Sequence, residues 1–323
     1  MNRLYIVGNG FDIYHGIRSE YVDFKRYLYH RDRKLHNLVE KYIPVAGDWS
    51  GLESALADID VESITEYASE YLVSYDAEGS RDDNWHDYQY EIGLIVEDLS
   101  VKFKSLFTEW VRQLSVPTRN TLTVCPLNIT PADKFLTFNY TSTLSDIYGV
   151  PSARVLHIHG EAKSGQDLVL GHAWRPVERT EPKYDPSFEF DSPDWRVTEG
   201  EEILNRFIIR TFKDTRKVIA ESSSFFSGLL DLHEIVVLGH SMSEVDFDYY
   251  REIAKVVNVH KVKWVVTFHG DDEHVRHVNT LNILGIPSCA VTLCEMKALQ
   301  AGGNPVSGRS VLWPTDALHR SYK

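Results

Sequence analysis

The sequence lacks the features of secreted, disulfide-stabilised and membrane proteins. Its 323 residues include only three cysteines, Cys125, Cys289 and Cys294, and none of them forms a CxxC pair. We therefore predict buried free thiols in a reducing compartment. The chain opens on Met-Asn-Arg directly before an apolar run, without a signal-peptide hydrophobic region and without an apolar stretch long enough to span a bilayer. These absences predict a soluble, cytoplasmic protein with no membrane partner.

An excess of basic residues is lacking as well. Lysine and arginine number 34 against 47 aspartates and glutamates, which gives a formal net charge of −13. This balance opposes a surface that binds nucleic acid by neutralising phosphates, so we expect no direct nucleic-acid partner. What the chain does have is 43% hydrophobic and 12% aromatic residues. That content is enough for a substantial core, in one large domain with insertions or in two domains.

Six short apolar runs predict strands that are buried on both faces of a parallel sheet. They are Leu4 to Val7, Phe135 to Phe138, Val155 to Ile158, Ile235 to Leu238, Val262 to Phe268 and Ala290 to Leu293. Most of these runs end in glycine or polar residues. The pattern predicts an α/β fold, a Rossmann-like and mostly parallel sheet, with its site in the loops at the carboxyl ends of the strands.

Two segments predict insertions into a single domain that spans residues 1–323. From about residue 20 to about residue 125 the apolar residues follow helical spacing, which predicts a large helical insertion after the first strand. A polar stretch, Ser74 to Asp87, predicts a loop inside it. Residues 172–200 include four prolines between His172 and Trp195, which predicts an irregular segment, either a lid or a surface excursion.

The first predicted strand ends in Gly8-Asn9-Gly10, followed by Phe11 and Asp12. Glycines at this point allow a tight turn, and they also let backbone amides approach an anionic group at the start of the next helix. This stretch is not the complete GxGxxG fingerprint of dinucleotide-binding proteins. Taken alone, the spacing fits a simple tight turn as well as a phosphate site.

Polar residues also follow the next two predicted strands. Asn139 and Tyr140 end one of them, and an asparagine can orient a ribose hydroxyl or a water molecule, while Thr141 can cap the next helix. In "VLHIHGEA", alternation puts His157 and His159 on one face of a strand. His159 suits acid–base work near neutral pH, although a structural role is also open, and His157 is assigned to packing or support. Spacing fixes no third ligand, so we expect no metal.

The fourth and fifth strand ends repeat the arrangement. Gly239 and Ser241 follow one strand, and Asp246 precedes the next helix, where it can hold a ribose or favour the helix N-terminus. His269 and Asp271 follow the other. Because the carboxyl ends of parallel strands lie at one edge of a sheet, the five signatures together predict one shared nucleotide site.

The ordered motifs resemble those of the AbiH family of bacterial abortive-infection proteins, which act in defence against phage. They are "GNGFDIYHGI", "WSGLESAL", "LTFNYTSTL", "HIHG" and "LGHSMSEVDFDYY". The resemblance extends from residue 5 to about residue 285. It implies a function in phage defence. The sequence leaves open which phage signal activates the protein and which oligomeric state it has, with a homo-oligomer as one option.

The same order of motifs is similar to sirtuin-like domains that bind NAD, many of which hydrolyse it in bacterial defence. This resemblance implies that Asn139 orients the nicotinamide ribose or water and that His159 is the base. Because cleavage of the nicotinamide bond develops positive charge at the ribose, we expect Asp12 or another nearby carboxylate to stabilise that charge. The residues expected to contact the dinucleotide are Gly8, Asn9, Gly10, Phe11, Tyr140, Gly239, Ser241, Asp246 and His269. NAD is thus the expected substrate or ligand.

Departures from the sirtuin-like pattern keep alternatives open. Asn9 stands inside the glycine loop, and Thr141 stands where an aspartate normally follows the asparagine motif. The paired zinc-binding cysteines of protein deacetylases are missing, which disfavours lysine deacylation. We therefore predict an NAD glycohydrolase, with a non-catalytic nucleotide-sensing module as the alternative. A metal-dependent nuclease built from His240, Asp246, His269 and Asp271 is the third hypothesis.

Overall fold

The protein is described from a computed structural model in which two compact units are distinguished. The described residues are 2–72, 85–165, 167–176 and 194–301. The first unit, here the sheet unit, comprises Met1–Ser19, Val111–Leu168 and Thr215–Lys323. The second, here the helical unit, comprises Glu20–Trp110 and Val169–Asp214. A single domain with two insertions stays a prediction.

Six parallel strands form one sheet in the sheet unit. They are β1 Arg3–Val7, β2 Lys134–Thr137, β3 Val155–His157, β4 Glu234–Leu238, β5 Lys263–Thr267 and β6 Val291–Cys294. All six predicted strands are confirmed, with bounds that agree to within one residue. Their order is β3-β2-β1-β4-β5-β6, and Tyr5 of β1 lies between Phe135 of β2 and Val236 of β4.

The strand order places β1 at a topological switch point. From β1 the chain reaches β2 and β3 on one side of the sheet, and β4, β5 and β6 on the other. This is the order of the doubly wound Rossmann sheet, in which ligands bind outside the carboxyl ends of the strands where the order reverses. The Rossmann-like prediction therefore agrees with the sheet, whereas its sirtuin-like specifics stay a prediction.

Helices occupy most of the remaining described chain. In chain order they are α1 Asn9–Tyr14, α2 Tyr21–Arg31, α3 Arg33–Tyr42, α4 Leu52–Ala55, α5 Val61–Ser69, α6 Asp87–Glu97, α7 Phe103–Gln113, α8 Thr143–Tyr148, α9 Trp195–Thr211, α10 Thr215–Glu221, α11 Ser223–Ser227, α12 Phe247–Val256 and α13 Gly270–Ile283. A π-helical turn, Asp98–Lys102, joins α6 to α7. Within the described ranges, no helix is long and apolar enough to cross a membrane.

Both faces of the sheet are buried, because successive side chains of each strand point to opposite faces. On one face, Leu4 and Ile6 of β1 belong to a core with Trp264 of β5 and with Tyr249 and Ile253 of α12. On the other face, Tyr5 stacks on Phe135 at a ring-centroid distance of 5.0 Å, in a core that includes Phe11. Side chains of this size each contribute about 1.5–3 kcal/mol when fully buried.

The helical unit has an aromatic core of its own. Phe24 of α2 is fully buried and contacts Trp49, Phe103, Phe107 and Trp110 at ring-centroid distances of 5.2–5.9 Å. Phe24 lies in α2, and Phe103, Phe107 and Trp110 share one face of α7, as the helical spacing of apolar residues in this part of the sequence predicts.

A buried ion pair also lies in the helical unit. The Lys213 ammonium, with a fully buried side chain, lies 2.9 Å from Glu53 Oε2, and the Tyr21 hydroxyl donates to Glu53 Oε1. Glu53 belongs to the "WSGLESAL" motif, and its ion pair with Lys213 links this motif to the segment that follows α9. The motif therefore has a structural role within this unit.

Several predictions fall wholly or largely outside the described residues. The polar loop within Ser74–Asp87 lies mostly in residues 73–84, and the central part of the lid prediction lies in residues 177–193. The three cysteines are described, and all are free thiols. Cys294 is buried, as predicted, and burial raises its pKa to about 11. Cys125 and Cys289 are exposed, so their predicted burial is wrong.

Candidate functional site

The loops that follow β1 and β4 are bonded to each other at the switch point. The Gly8 N–H donates to the Leu238 carbonyl at 3.0 Å, and the Gly10 N–H donates to the Gly239 carbonyl at 2.8 Å. A Cβ atom on Gly8 would lie 2.5 Å from His240 Cα, and one on Gly239 would lie 2.5 Å from the Gly10 carbonyl carbon. Glycine is required here because two backbones approach each other more closely than any side chain permits.

These bonds change the interpretation of the glycine loop. Two of its amides donate to backbone carbonyls, so in this conformation they are not available to a phosphate. The Asn9 side chain is also engaged, since its Nδ2 donates to the Ser19 carbonyl and its Oδ1 accepts from the Ser19 hydroxyl. Helix α1 has only six residues. Packing between strand ends therefore accounts for the glycines, and a pyrophosphate contact at Gly8, Asn9 and Gly10 stays a prediction.

Asp12 is a buried carboxylate that titrates near neutral pH. It is 1% exposed, and it accepts hydrogen bonds from the Thr141 hydroxyl at 2.6 Å and from the Thr143 hydroxyl at 2.7 Å. Burial raises its pKa from 3.8 to about 6, against the opposing effect of hydrogen bonds from Thr141, Thr143 and Asn139. The hydrogen bonds from the two threonines to Asp12 were not predicted from the sequence, although Thr141 differed from the sirtuin-like pattern.

Asn139 connects the end of β2 to the end of β1. Its Nδ2 donates to the Gly8 carbonyl at 3.0 Å, and its backbone N–H donates to the Thr137 hydroxyl. The side chain of His157 lies behind it, with Nδ1 at 3.1 Å from the Asn139 carbonyl oxygen, and burial lowers the pKa of this histidine. His157 thus supports Asn139, in agreement with the packing or support role assigned to it.

His159 and Asp246 meet across the sheet edge. The strand β3 ends at His157, so His159 lies in the following turn, and the prediction that both histidines share a strand face is wrong. The chain turns at Gly160, which has a φ of 89°. His159 is 3% exposed, and its Nε2 lies 3.6 Å from Asp246 Oδ1. Asp246 comes from the 3-10 turn that precedes α12.

His240, which the sequence suggested only for the nuclease hypothesis, also lies beside Asp246. Its Nε2 lies 3.4 Å from Asp246 Oδ2, so one carboxylate lies between two imidazoles. The position directly after Gly239 in "LGHS" was the available sequence signal. Spacing alone could not show that the histidine faces Asp246, six residues further along the chain.

The other predicted contact residues differ in their surroundings. Phe11 is fully buried against His15 and Tyr148, and its contact with a ligand stays a prediction. Tyr140 is partly buried, with its ring centroid 6.3 Å from that of His159. His269 is exposed beside the N-terminus of α13, where its backbone N–H donates to the Glu273 carboxylate.

Two further residues of the predicted ligand contacts, Gly239 and Ser241, are partly buried in the β4 loop. Of the four residues in the nuclease hypothesis, His240 and Asp246 lie together, whereas His269 and Asp271 are exposed after β5. Throughout the described residues, no group of three or more histidine, cysteine, aspartate or glutamate side chains has the arrangement of a metal site.

Comparison with known proteins identifies the family. No curated protein and no solved structure shows a significant similarity to the chain. A family model described as "Bacteriophage abortive infection AbiH" matches residues 4–268, which include β1 to β5 and every residue of the candidate site except His269 and Asp271. The chain therefore belongs to the AbiH family, whose description assigns it to bacteriophage abortive infection.

Proposed function

We propose that this chain acts in phage defence by binding NAD at the carboxyl edge of its sheet and hydrolysing the bond between nicotinamide and ribose. The observation that supports the proposal is the β3-β2-β1-β4-β5-β6 order, with the titratable residues Asp12, His159 and Asp246 just beyond the strand ends. Sheets of this order take nucleotides at that edge. Depletion of NAD then arrests the infected cell.

The chemistry assigns a separate task to each group. Departure of nicotinamide with the bonding electron pair develops positive charge on the ribose, which the Asp12 carboxylate stabilises. His159 removes a proton from water while the water oxygen bonds to the ribose carbon, and Asp246 stabilises the resulting imidazolium. Asn139 orients the ribose or the water through its amide oxygen. The products are nicotinamide, ADP-ribose and one proton.

Burial of these groups suggests a closed resting state. Asp12, Asn139 and His159 are 1%, 7% and 3% exposed. A substrate reaches them only when the loops around them rearrange, so we assign to the phage signal the task of opening the site. An enzyme that destroys NAD must be inactive before infection, and a closed site provides that control.

The direct test measures nicotinamide release by protein purified from uninfected cells and from phage-infected cells. We expect release by the wild-type protein from infected cells, and at least a hundredfold less by His159→Gln, since general-base catalysis contributes roughly 10²–10⁴-fold. His260→Gln is the matched control, because His260 is exposed on the same unit. Absence of release by wild type in both preparations, or equal release by His159→Gln, would refute NAD hydrolysis.

A second candidate is a nucleotide-sensing module that does not consume its ligand. The observation that favours it is that the protein itself already satisfies the Gly8 and Gly10 amides and both oxygens of Asp12. Groups bonded in this way hold the strand ends together and are not free for chemistry. Calorimetry that detects NAD binding, together with intact NAD after prolonged incubation, would favour this candidate over hydrolysis.

A further inference from the structure

Asp246 is held between two buried imidazoles. Its Oδ1 lies 3.6 Å from His159 Nε2, and its Oδ2 lies 3.4 Å from His240 Nε2. The three residues are 3–6% exposed. The proposed base and its carboxylate therefore have a third member, which the sequence interpretation did not connect with NAD hydrolysis.

The backbone fixes the direction of the proton on His240. The Met242 N–H donates to His240 Nδ1 at 2.9 Å, so Nδ1 carries a lone pair and the proton of the neutral ring is on Nε2. The Nε2 atom that carries this proton is the one that lies 3.4 Å from Asp246 Oδ2. Met242 has a φ of 51°, a left-handed conformation that is uncommon outside glycine. The loop thus retains an unfavourable backbone conformation in which its amide meets the imidazole.

Aromatic rings enclose the two histidines. The Phe138 ring lies 4.1 Å from that of His240 and 5.3 Å from that of His159, and Tyr249 lies 5.8 Å from His159. Interactions between charges are stronger in such surroundings than in water. The free energy of a protonated His159 ring therefore depends strongly on the orientation of the Asp246 carboxylate.

Two further titratable groups face this cluster. Tyr250 of α12 is completely buried, and burial together with the negative charge of Asp246 raises its pKa. His277 of α13 lies near His240, and burial, with a smaller effect from Arg276, lowers its pKa to about 4. Both groups are therefore neutral at pH 7.

We infer that His240 is a positioning residue, which holds Asp246 towards His159 so that the three side chains act as one acid–base unit. The inference rests on the proposed function for its chemistry. When His159 removes a proton from water, its imidazolium is stabilised by Asp246 Oδ1. The His240 Nε2–H keeps the other carboxylate oxygen in place and prevents the carboxylate from rotating away.

Two substitutions of His240 separate this role from a purely structural one. Asn can still accept the Met242 N–H near the position of Nδ1, but it has no donor near Asp246. Gln places an amide N–H near the position of Nε2 and can restore the contact with Asp246. His260→Asn, at an exposed position, is the control for the loss of a histidine.

The experiment measures kcat and KM for nicotinamide release across pH, and it follows the titration of the His159 ring by NMR, with His159→Gln used to assign its signal. We expect His240→Asn to lower kcat about tenfold with little change in KM, and to lower the apparent pKa of His159 by about one unit, which corresponds to the same factor of ten. His240→Gln should recover most of both changes, and His260→Asn should change neither.

The outcomes distinguish this inference from the proposed function. An unchanged His159 titration in His240→Asn overturns the inference, as do equal losses in the Asn and Gln variants, because these indicate a packing role for the ring. If the wild-type protein releases no nicotinamide, NAD hydrolysis fails, and the NMR titration alone decides. A shift in His240→Asn that His240→Gln reverses then still supports the acid–base unit.

Discussion

Burial of the Asp12 carboxyl group makes the stability of the protein depend on pH near neutrality. Its pKa is about 6 in the folded state against 3.8 ordinarily. Because the folded-state value is the higher one, this group contributes stability that is fully present below pH 3.8 and is lost as the pH rises through 6. The difference of about two pKa units corresponds to about 3 kcal/mol in total. Between pH 5 and pH 8 the change in unfolding free energy is about 1.4 kcal/mol.

The substitution Asp12→Asn isolates this effect. Asparagine has almost the same shape, and its amide can bond to the hydroxyls of Thr141 and Thr143, but it does not titrate. We expect the unfolding free energy of the variant, relative to that of the wild type, to rise by about 1.4 kcal/mol from pH 5 to pH 8. The measurement is urea unfolding at pH 5, 6, 7 and 8, followed by tryptophan fluorescence.

The control is Asp231→Asn, an exposed aspartate in the same unit. Its difference from the wild type should be constant across the four pH values. If the difference for Asp12→Asn is constant as well, the Asp12 carboxyl group does not titrate in this range, and the reasoning from burial is refuted. If the difference follows the expected course, Asp12 is retained as a carboxylate at a cost in stability, as is typical of functional residues.

Three further predictions concern packing and charge. Gly8→Ala should lower the unfolding free energy by about 2 kcal/mol or more in urea, because its Cβ would meet the backbone of the β4 loop at 2.5 Å. A buried, neutral histidine with a pKa of about 4 contributes about 3 kcal/mol to the unfolding free energy, and this contribution is lost as the pH falls from 6.5 to 4. His277→Gln should therefore reduce the loss of stability over this pH range. Lys213→Met should lower stability by about 3 kcal/mol in thermal unfolding, because it leaves the Glu53 carboxylate without its buried cation.

Two of these predictions have a matched control. Gly47→Ala introduces a Cβ with no atom within 4 Å, and Lys261→Met removes an exposed cation, so both should change stability little. Equal losses for Gly8→Ala and Gly47→Ala would contradict the close approach of the β1 and β4 loops. Parallel pH curves for His277→Gln and wild type would contradict the buried neutral histidine. A thermally unaffected Lys213→Met variant would show that the ion pair does not contribute.

The strands were predictable from the sequence because each is a short apolar run that is buried on both faces. The run Ile235–Leu238, for example, differs from β4 by one residue at its start. The order of the strands was not predictable from these runs. The pairing of β1 with β2 and with β4 joins segments 130 and 231 residues apart, as in Leu4 with Lys134 and Arg3 with Glu234, and no local pattern encodes it.

The candidate site was predictable in part, for the same reason. The general rule for parallel sheets predicted that Asp12, Asn139, His159 and Asp246 lie beyond the strand ends, and they do. The position of His240 opposite Asp246 depends on the turn at Met242, a non-glycine residue at positive φ that the sequence does not reveal. Similarly, the pairing of the glycine-loop amides with β4 carbonyls required knowledge of the neighbouring strand.

The central position of β1 has a consequence for biosynthesis. Its partner on one side, β2, begins at Lys134, and its partner on the other side, β4, begins only at Glu234. At roughly 5–20 residues per second, the ribosome extends the chain for tens of seconds before β4 is complete. Until then, one edge of β1 has no partner strand, and the amides of Gly8 and Gly10 lack their carbonyl acceptors. A chain interrupted before Leu238 therefore contains the residues of the β1 loop without the strand that shapes it, so an unfinished copy of this AbiH-family protein cannot assemble the candidate site.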